Sequence, residues 1–107
     1  MNDYQQAALR TAAARDKYNE LFHLLLGLVG ETGEIAEKAK KIVRDKASDF
    51  SQWDTDDLKK ELGDTLWYVA VIAHYFDLTL NDVATHNITK LADRQNRGMI
   101  GGSGDDR

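Results

Sequence analysis

Proline is absent from this 107-residue chain, although average usage of about 5% would predict about five prolines. Proline breaks helix interiors and often shapes loops, so its absence favours helices joined by short turns. Cysteine is also absent, which excludes disulfides, zinc–thiolate sites, iron–sulfur clusters and thiol nucleophiles. The longest apolar run, residues 24–29, is far shorter than the roughly 20 residues of a membrane span. We therefore expect no membrane partner.

Positive charge is in the minority, since the net charge is −4 with 18 acidic residues. This balance argues against broad affinity for nucleic acid. The first residues have neither the basic start nor the apolar run of a signal peptide, so a cytoplasmic location is expected. A chain of this length forms one domain with a small private core, which favours burial of further surface by oligomerisation.

Apolar periodicity and capping residues predict four helices, at about residues 2–17, 20–47, 55–76 and 79–97. Asp54 or Thr55 is expected to cap the third helix, and Thr79 opens the fourth. Gly98 ends it, so we expect a domain over residues 1–98 and a flexible tail over residues 99–107. The predicted fold is all-α, a four-helix bundle-type subunit whose core is shared through oligomerisation.

Each of the three later helices carries an apolar stripe that predicts its buried face. Gly27, Gly30 and Gly33 fall near one face of the second helix, which indicates close approach of a neighbouring backbone or a local bulge. The predicted core positions are Leu24, Leu28, Ile35, Ala39 and Ile42 of the second helix, Leu58, Leu62, Leu66, Val69, Ala73 and Phe76 of the third, and Leu80, Ala84, Ile88 and Leu91 of the fourth.

Two acid pairs lie within the second and third helices, and each pair encloses a glycine. They are Glu31 with Glu34, and Glu61 with Asp64. Helical residues three apart lie within about 60° of each other, so each pair shares a face at the shoulder of the apolar stripe. If the two helices pack antiparallel, the four carboxylates converge and repel by about 1 kcal/mol per pair even in bulk water. A bound cation would offset this repulsion.

The chemistry of these acids favours a particular kind of cation. Oxygen-only ligands suit Mg²⁺, with Mn²⁺ as the alternative, and such ions usually complete their shells with water and phosphate oxygens. A solvated acidic helix face is the simpler interpretation, and spacing alone favours neither clearly. The two pairs therefore predict a metal site whose substrate is a phosphate compound, with a plain acidic surface as the alternative.

Cationic side chains occur at matching positions. Lys38 and Lys41 share the shoulder of Glu31 and Glu34, and Lys90 and Arg94 line a shoulder of the fourth helix. Taken one by one, these residues also suit a solubilising surface. Tyr68 is a candidate for stacking on a base, although aromatics at helical spacing are usually core or interface. The absence of a Gly-rich lysine loop argues against P-loop chemistry.

Three segments together resemble the MazG-like all-α nucleoside triphosphate pyrophosphohydrolases of the short phage and bacterial type. They are residues 27–37 (GLVGETGEIAE), 60–68 (KELGDTLWY) and 87–94 (NITKLADR), and the likeness covers about residues 20–98. The resemblance implies that Mg²⁺ is bound by Glu31, Glu34, Glu61 and Asp64. It further implies that Asn87, Lys90 and Arg94 face the triphosphate, in a homodimer or homotetramer within a bacterial cell or a phage-infected host.

The expected activity is Mg²⁺-dependent hydrolysis of a nucleoside or deoxynucleoside triphosphate to the monophosphate and pyrophosphate. Water would attack the α-phosphorus, with Glu34 or Glu37 as the base, while Lys38, Lys41, Tyr68, Asn87, Lys90 and Arg94 bind the substrate. Two alternatives remain open. One is a dUTP- or dCTP-type diphosphatase that also accepts diphosphates, and the other is a non-catalytic helical interaction module.

Overall fold

The part of the chain that the structure describes folds into four α-helices. The structure, a computed structural model, describes residues 1–12 and 17–98. The helices are α1 (Asn2–Leu9), α2 (Lys17–Asp45), α3 (Thr55–Tyr75) and α4 (Leu80–Asn96), with a short 3₁₀ turn at Phe50–Gln52. The described residues contain no strand, which confirms the all-α prediction. None of the described helices combines the length and the apolar character that a membrane span requires.

The two longest helices, α2 and α3, form an antiparallel pair. Lys38 in the second half of α2 meets Asp57 in the first turn of α3, whereas Gly27 lies against Tyr68 further along α3. Contacts that run in opposite directions along two helices define antiparallel packing, as the short connection of residues 46–54 predicts. This pairing places the middle of α2 beside the middle of α3.

The boundaries of α3 and α4 follow the predicted capping residues. Asp54 Oδ1 accepts hydrogen bonds from two backbone amides of the first turn of α3, at 3.0 and 3.3 Å. Thr79 Oγ1 accepts from the Asp82 amide at 3.1 Å at the start of α4. Gly98 has φ of +69° just after α4, a conformation that glycine adopts without steric cost. The predicted tail, residues 99–107, lies outside the described residues.

The first helix is shorter than predicted, since α1 ends at Leu9. The Thr11 hydroxyl donates to the Ala8 carbonyl at 2.7 Å and accepts from Trp67 Nε1 at 2.7 Å. These side-chain bonds offer the backbone an alternative to another helical turn, which explains the early end. Residues 13–16, which the prediction placed in the same helix, lie outside the described residues.

The side chain of a buried glutamine links α1 to the junction of α3 and α4 through hydrogen bonds. Gln5 is 3% exposed, and its side-chain amide donates to the carbonyls of Ala70 and Leu78, each at 3.1 Å. Its Oε1 accepts from the Leu80 amide at 3.1 Å. The surrounding core is small, and its buried members are Ala8, Ala70, Ala73 and Leu80. This agrees with the limited private core expected of so short a chain.

Several predicted core positions are wrong within the single chain. Leu62 of α3 is 53% exposed, and Phe76, which follows the last residue of α3, is 55% exposed. Ile88 and Leu91 of α4 are 66% and 37% exposed. The reason on α3 is that α2 packs against the face that carries Glu61 and not against the face that carries Leu62. Among the described residues, α4 lies beside α1 and α3 and not beside α2.

Candidate metal centre

Three carboxylates meet at the centre of the α2–α3 interface. Glu31 and Glu34 lie one turn apart on α2, and Glu61 faces them from α3. One carboxylate oxygen of each lies within 4.8 Å of the others. Glu61 is 6% exposed, Glu31 is half-buried and Glu34 is exposed. The antiparallel packing thus brings Glu61 of α3 to the acid pair of α2, which sequence spacing could only place on a separate helix.

Asp64 lies close to the same centre. It lines a pocket with Glu31, Trp67 and Tyr68 at the surface between the two helices. Burial raises the pKa of Glu31, and the negative charges of Glu34, Asp64 and Glu61 raise it further. The electrostatic field of Asp64 therefore reaches the three-acid cluster, although its own carboxylate is not one of the three that converge.

The acids perturb one another because they are crowded. A hydrogen bond with Glu61 is the main cause of the raised pKa of Glu34, and the charge of Glu61 adds to it. A hydrogen bond from Lys38 is the main cause of the lowered pKa of Glu61. Glu34 is therefore the more basic carboxylate of the two, and Glu61 is the one that stays ionised.

Lys38 supplies the positive charge inside the cluster. Its ammonium donates to Glu61 Oε1 at 3.1 Å and to Asp57 Oδ2. These hydrogen bonds raise the pKa of Lys38, the bond to Asp57 first. The sequence did not single out Asp57, since it lies in the first turn of α3 among other helix-start acids. Only the register between α2 and α3 shows that Asp57 holds Lys38 beside Glu61.

The oxygen atoms of these carboxylates suit a small divalent cation as ligands. Glu31 Oε2 and Glu61 Oε2 are buried, and no hydrogen-bond donor of the described residues reaches either atom. Unless the acids share a proton, two buried acceptors are left unsatisfied, which is costly. A cation between the three carboxylates would satisfy both oxygens, and carboxylate oxygens are the ligands that Mg²⁺ and Mn²⁺ prefer.

The remaining predicted residues lie at different distances from the centre. Glu37 and Lys41 are on α2 but are exposed, and Glu37 is not one of the converging acids. Asn87 is exposed, whereas Lys90 and Arg94 are half-buried on α4. Among the described residues, the backbone of α4 lies beside α1 and α3 and not beside α2, so the helix that carries the predicted basic shoulder does not run along α2 within one chain.

The ring of Tyr68 packs directly against Gly27. A methyl group at position 27 would lie 2.7 Å from Tyr68 Oη and closer still to two carbons of its ring. Gly27 therefore permits the ring to lie flush against α2, so a close approach does occur there, but it is made by a side chain and not by the predicted backbone. At Gly30 and Gly33 an added methyl would meet nothing within 4 Å, and the same prediction is wrong for both.

Comparison with known proteins identifies the class. The profile of the MazG nucleotide pyrophosphohydrolase domain matches residues 20–99. The chain belongs to this family, which confirms the resemblance seen in the sequence. It is also 48% identical over 109 residues to the Gene 37 protein of Mycobacterium phage L5, covering 97% of this chain and 96% of the relative. No solved structure matches the chain.

Proposed function

We propose that this chain hydrolyses nucleoside or deoxynucleoside triphosphates to the monophosphate and pyrophosphate in the presence of Mg²⁺. The observation that carries the proposal is the convergence of Glu31, Glu34 and Glu61 within 4.8 Å, with two buried oxygens that no donor reaches. Membership in the MazG family supports nucleotide pyrophosphohydrolysis as the reaction class. The site supports phosphate chemistry because Mg²⁺ sites complete their shells with phosphate oxygens and water.

Glu31, Glu34, Glu61 and Asp64 would hold the ion, with Mn²⁺ as the alternative metal. When bound, the ion polarises a phosphoryl oxygen and lowers the pKa of water beside it. Glu34 is the base that we favour for the attacking water, because it is the solvent-exposed member of the three converging acids. Glu37 is the second candidate, although it is exposed and outside the converging acids.

Cationic and polar side chains would bind the triphosphate. Lys38 is held beside the acids by Asp57, and Lys41 lies on the same helix. Tyr68 lines the same pocket as Glu31 and Asp64. We place the nucleoside part of the substrate there, where it extends away from the metal centre. On α4, we assign Asn87, Lys90 and Arg94 to the leaving phosphates, reached from a second copy of the chain.

A homodimer or homotetramer is part of this proposal. Four apolar side chains form one exposed stripe along α2 at helical spacing, with exposures between 42% and 70%: Phe22, Leu25, Leu26 and Val29. The radius of gyration is 16.7 Å, against about 13 Å for a compact domain of this length. An open subunit with an apolar stripe is suited to packing against a second copy, which would cover the stripe and bring a second α4 near the acids.

We assign the reaction to a domain of residues 1–98, with residues 99–107 as an appended tail. Membership in the MazG family supports a role in nucleotide metabolism, and we place the protein in the cytoplasm of a bacterial cell or a phage-infected host because its relative is a phage protein. A substitution of Leu26 by Glu tests the assembly, because an ionised carboxylate cannot be buried cheaply in an apolar interface. Light scattering should report a smaller particle for this variant than for the wild type, and an unchanged mass would contradict the proposed interface.

Carboxylate-to-amide variants test the proposed metal centre. Glu34→Gln and Asp64→Asn should lose Mg²⁺ binding in calorimetry and lose turnover of triphosphates. Because each change also relieves repulsion among the acids, the metal-free variants should be as stable as the wild type or more stable. Glu37→Gln should retain Mg²⁺ binding, and loss of its turnover would make Glu37 the base. Undiminished Mg²⁺ affinity in both Glu34→Gln and Asp64→Asn would contradict the site.

A further inference from the structure

The two oxygens of the Glu61 carboxylate have different surroundings. Oε1 accepts a hydrogen bond from the Lys38 ammonium at 3.1 Å. Oε2 is buried, and no hydrogen-bond donor of the described residues reaches it. The Glu61 side chain is only 8% exposed, so solvent has little access to either oxygen. The two oxygens are therefore not equivalent toward a cation, because Oε1 is already bonded to an ammonium and Oε2 is available.

Lys38 is held from a second direction. Its ammonium also donates to Asp57 Oδ2, and Asp57 lies four residues before Glu61 on α3. Helical residues four apart are neighbours on one face, so both acceptors lie on the side of α3 that packs against α2. Lys38 thus reaches across from α2 and bridges the two carboxylates. The bridge is partly sheltered from water, since the Lys38 and Asp57 side chains are 32% and 36% exposed.

This bridge differs from an ordinary surface ion pair. Asp56 and Lys59, at the start of α3, pair at 3.9 Å with side chains that are 93% and 84% exposed. Exposed pairs of that kind contribute little to stability. The Lys38 bridge instead ends on Glu61, which is one of the three converging acids. Hydrogen bonds to a metal ligand fix its orientation, so the position of the bridge indicates a role in shaping the metal centre.

A carboxylate binds a cation through one oxygen or through both, and the two modes suit different ions. Ca²⁺ takes about six to eight oxygen ligands and often uses both oxygens of one carboxylate. Mg²⁺ requires a near-ideal octahedral shell and keeps several waters, so it needs few protein oxygens. A carboxylate with one oxygen bonded to an ammonium offers only the other oxygen, which is sufficient for Mg²⁺ and deprives Ca²⁺ of a ligand.

We propose that Asp57 is a positioning residue of the metal centre: through Lys38 it restrains Glu61 to bind a cation by Oε2 alone, which disfavours Ca²⁺ relative to Mg²⁺. The inference rests on the proposed function, since it requires a divalent cation among Glu31, Glu34 and Glu61. It adds to that function a determinant of metal choice that lies outside the ligands. Asp57 acts at a distance, because its own contact is with Lys38.

Displacement of bound Mn²⁺ tests the proposal without nucleotide and without turnover. Free Mn²⁺ gives a sharp electron paramagnetic resonance signal that largely disappears on binding. Titration of the Mn²⁺-loaded protein with Mg²⁺ and, separately, with Ca²⁺ gives the affinity of each ion. The measured quantity is the ratio of Ca²⁺ to Mg²⁺ affinity. A change of charge near the site acts on both divalent ions alike, so the ratio is insensitive to it.

Two variants release the restraint on Glu61. Lys38→Met and Asp57→Ala should each raise the ratio of Ca²⁺ to Mg²⁺ affinity about tenfold, since partners of metal ligands commonly affect affinity by about 10–100-fold. Because Asp57 acts through Lys38, the double variant should have the same ratio as Lys38→Met alone. Asp56→Ala is the matched control. It also removes a carboxylate from the first turn of α3, but its partner is Lys59, so its ratio should equal that of the wild type.

The outcomes separate this inference from the function on which it rests. An unchanged ratio in Lys38→Met would overturn the restraint on Glu61. An unchanged ratio in Asp57→Ala, an equal change in Asp56→Ala, or additive changes in the double variant would overturn the role of Asp57. In each of these cases the metal centre stands. If the wild type binds neither Mn²⁺ nor Mg²⁺, the proposed function is wrong, and this inference is wrong with it.

Discussion

The contact between Gly27 and Tyr68 makes a quantitative prediction about stability. An alanine inside a helix is favoured over glycine by about 1 kcal/mol. At position 27, however, the added methyl would lie 2.7 Å from Tyr68 Oη and closer to the ring, so the ring must move. Overpacking of this kind costs about 1–3 kcal/mol. We therefore expect Gly27→Ala to be neutral or to destabilise the protein by up to about 2 kcal/mol.

Gly30→Ala is the matched control, because an added methyl meets nothing within 4 Å and the helix gains about 1 kcal/mol. Thermal denaturation followed by circular dichroism in EDTA should show a Tm increase of about 4–8 °C for Gly30→Ala. Gly27→Ala should show no increase or a decrease. In a Tyr68→Ala background, Gly27→Ala should become stabilising, since the obstructing ring is gone. If Gly27→Ala raises the Tm of the wild type as much as Gly30→Ala does, Tyr68 does not lie on Gly27.

Three further predictions concern the charges and the buried glutamine. Because the pKa values of Glu31 and Glu34 are raised in the folded state, the folded protein binds more protons than the unfolded chain at and above the ordinary glutamate range. The lowered pKa values of Glu61, Asp45 and Asp49 act in the opposite direction, so the test compares the wild type with a Glu31→Gln/Glu34→Gln variant. As pH rises through that range, the Tm of the metal-free wild type should fall relative to that of the variant, and a relative rise would contradict the crowded acids. Lys38→Gln removes a positive charge 3.1 Å from a cluster carboxylate, so calorimetry without nucleotide should show tighter Mg²⁺ binding, and weaker or equal binding would count against this role. Gln5→Ala removes three hydrogen bonds and should cost about 2–4 kcal/mol in urea denaturation, whereas exposed Gln6→Ala should change stability by less than about 0.5 kcal/mol; equal losses would show that Gln5 does not anchor α1.

The helix boundaries could be predicted because they depend on local chemistry. The Asp54 and Thr79 side chains cap the amides of their own first turns, and Gly98 adopts a positive φ next to the helix that it ends. The first helix was the exception. Its end depends on the hydrogen bond between Thr11 and Trp67, residues far apart in the sequence. No local pattern contains that information.

Some features of the candidate site could likewise be predicted from local sequence, and others could not. Spacing placed Glu31 with Glu34 on one face, and Glu61 with Asp64 on another, because helical residues three apart share a face. The role of Asp57 as the partner of Lys38 depends on the register between α2 and α3, which spacing within a helix does not contain. The apolar stripes that include Leu62 and Ile88 predicted burial, yet both side chains are exposed within the single chain, because a stripe does not specify whether its own chain or a second copy covers it.

The most direct test of the proposed reaction is product analysis in ¹⁸O-labelled water. The protein would be incubated with Mg²⁺ and each nucleoside and deoxynucleoside triphosphate, and the products resolved by chromatography and mass spectrometry. Attack of water at the α-phosphorus predicts nucleoside monophosphate and pyrophosphate, with the label in the monophosphate. Orthophosphate and a nucleoside diphosphate, label in the pyrophosphate, or no turnover of any triphosphate would contradict the account.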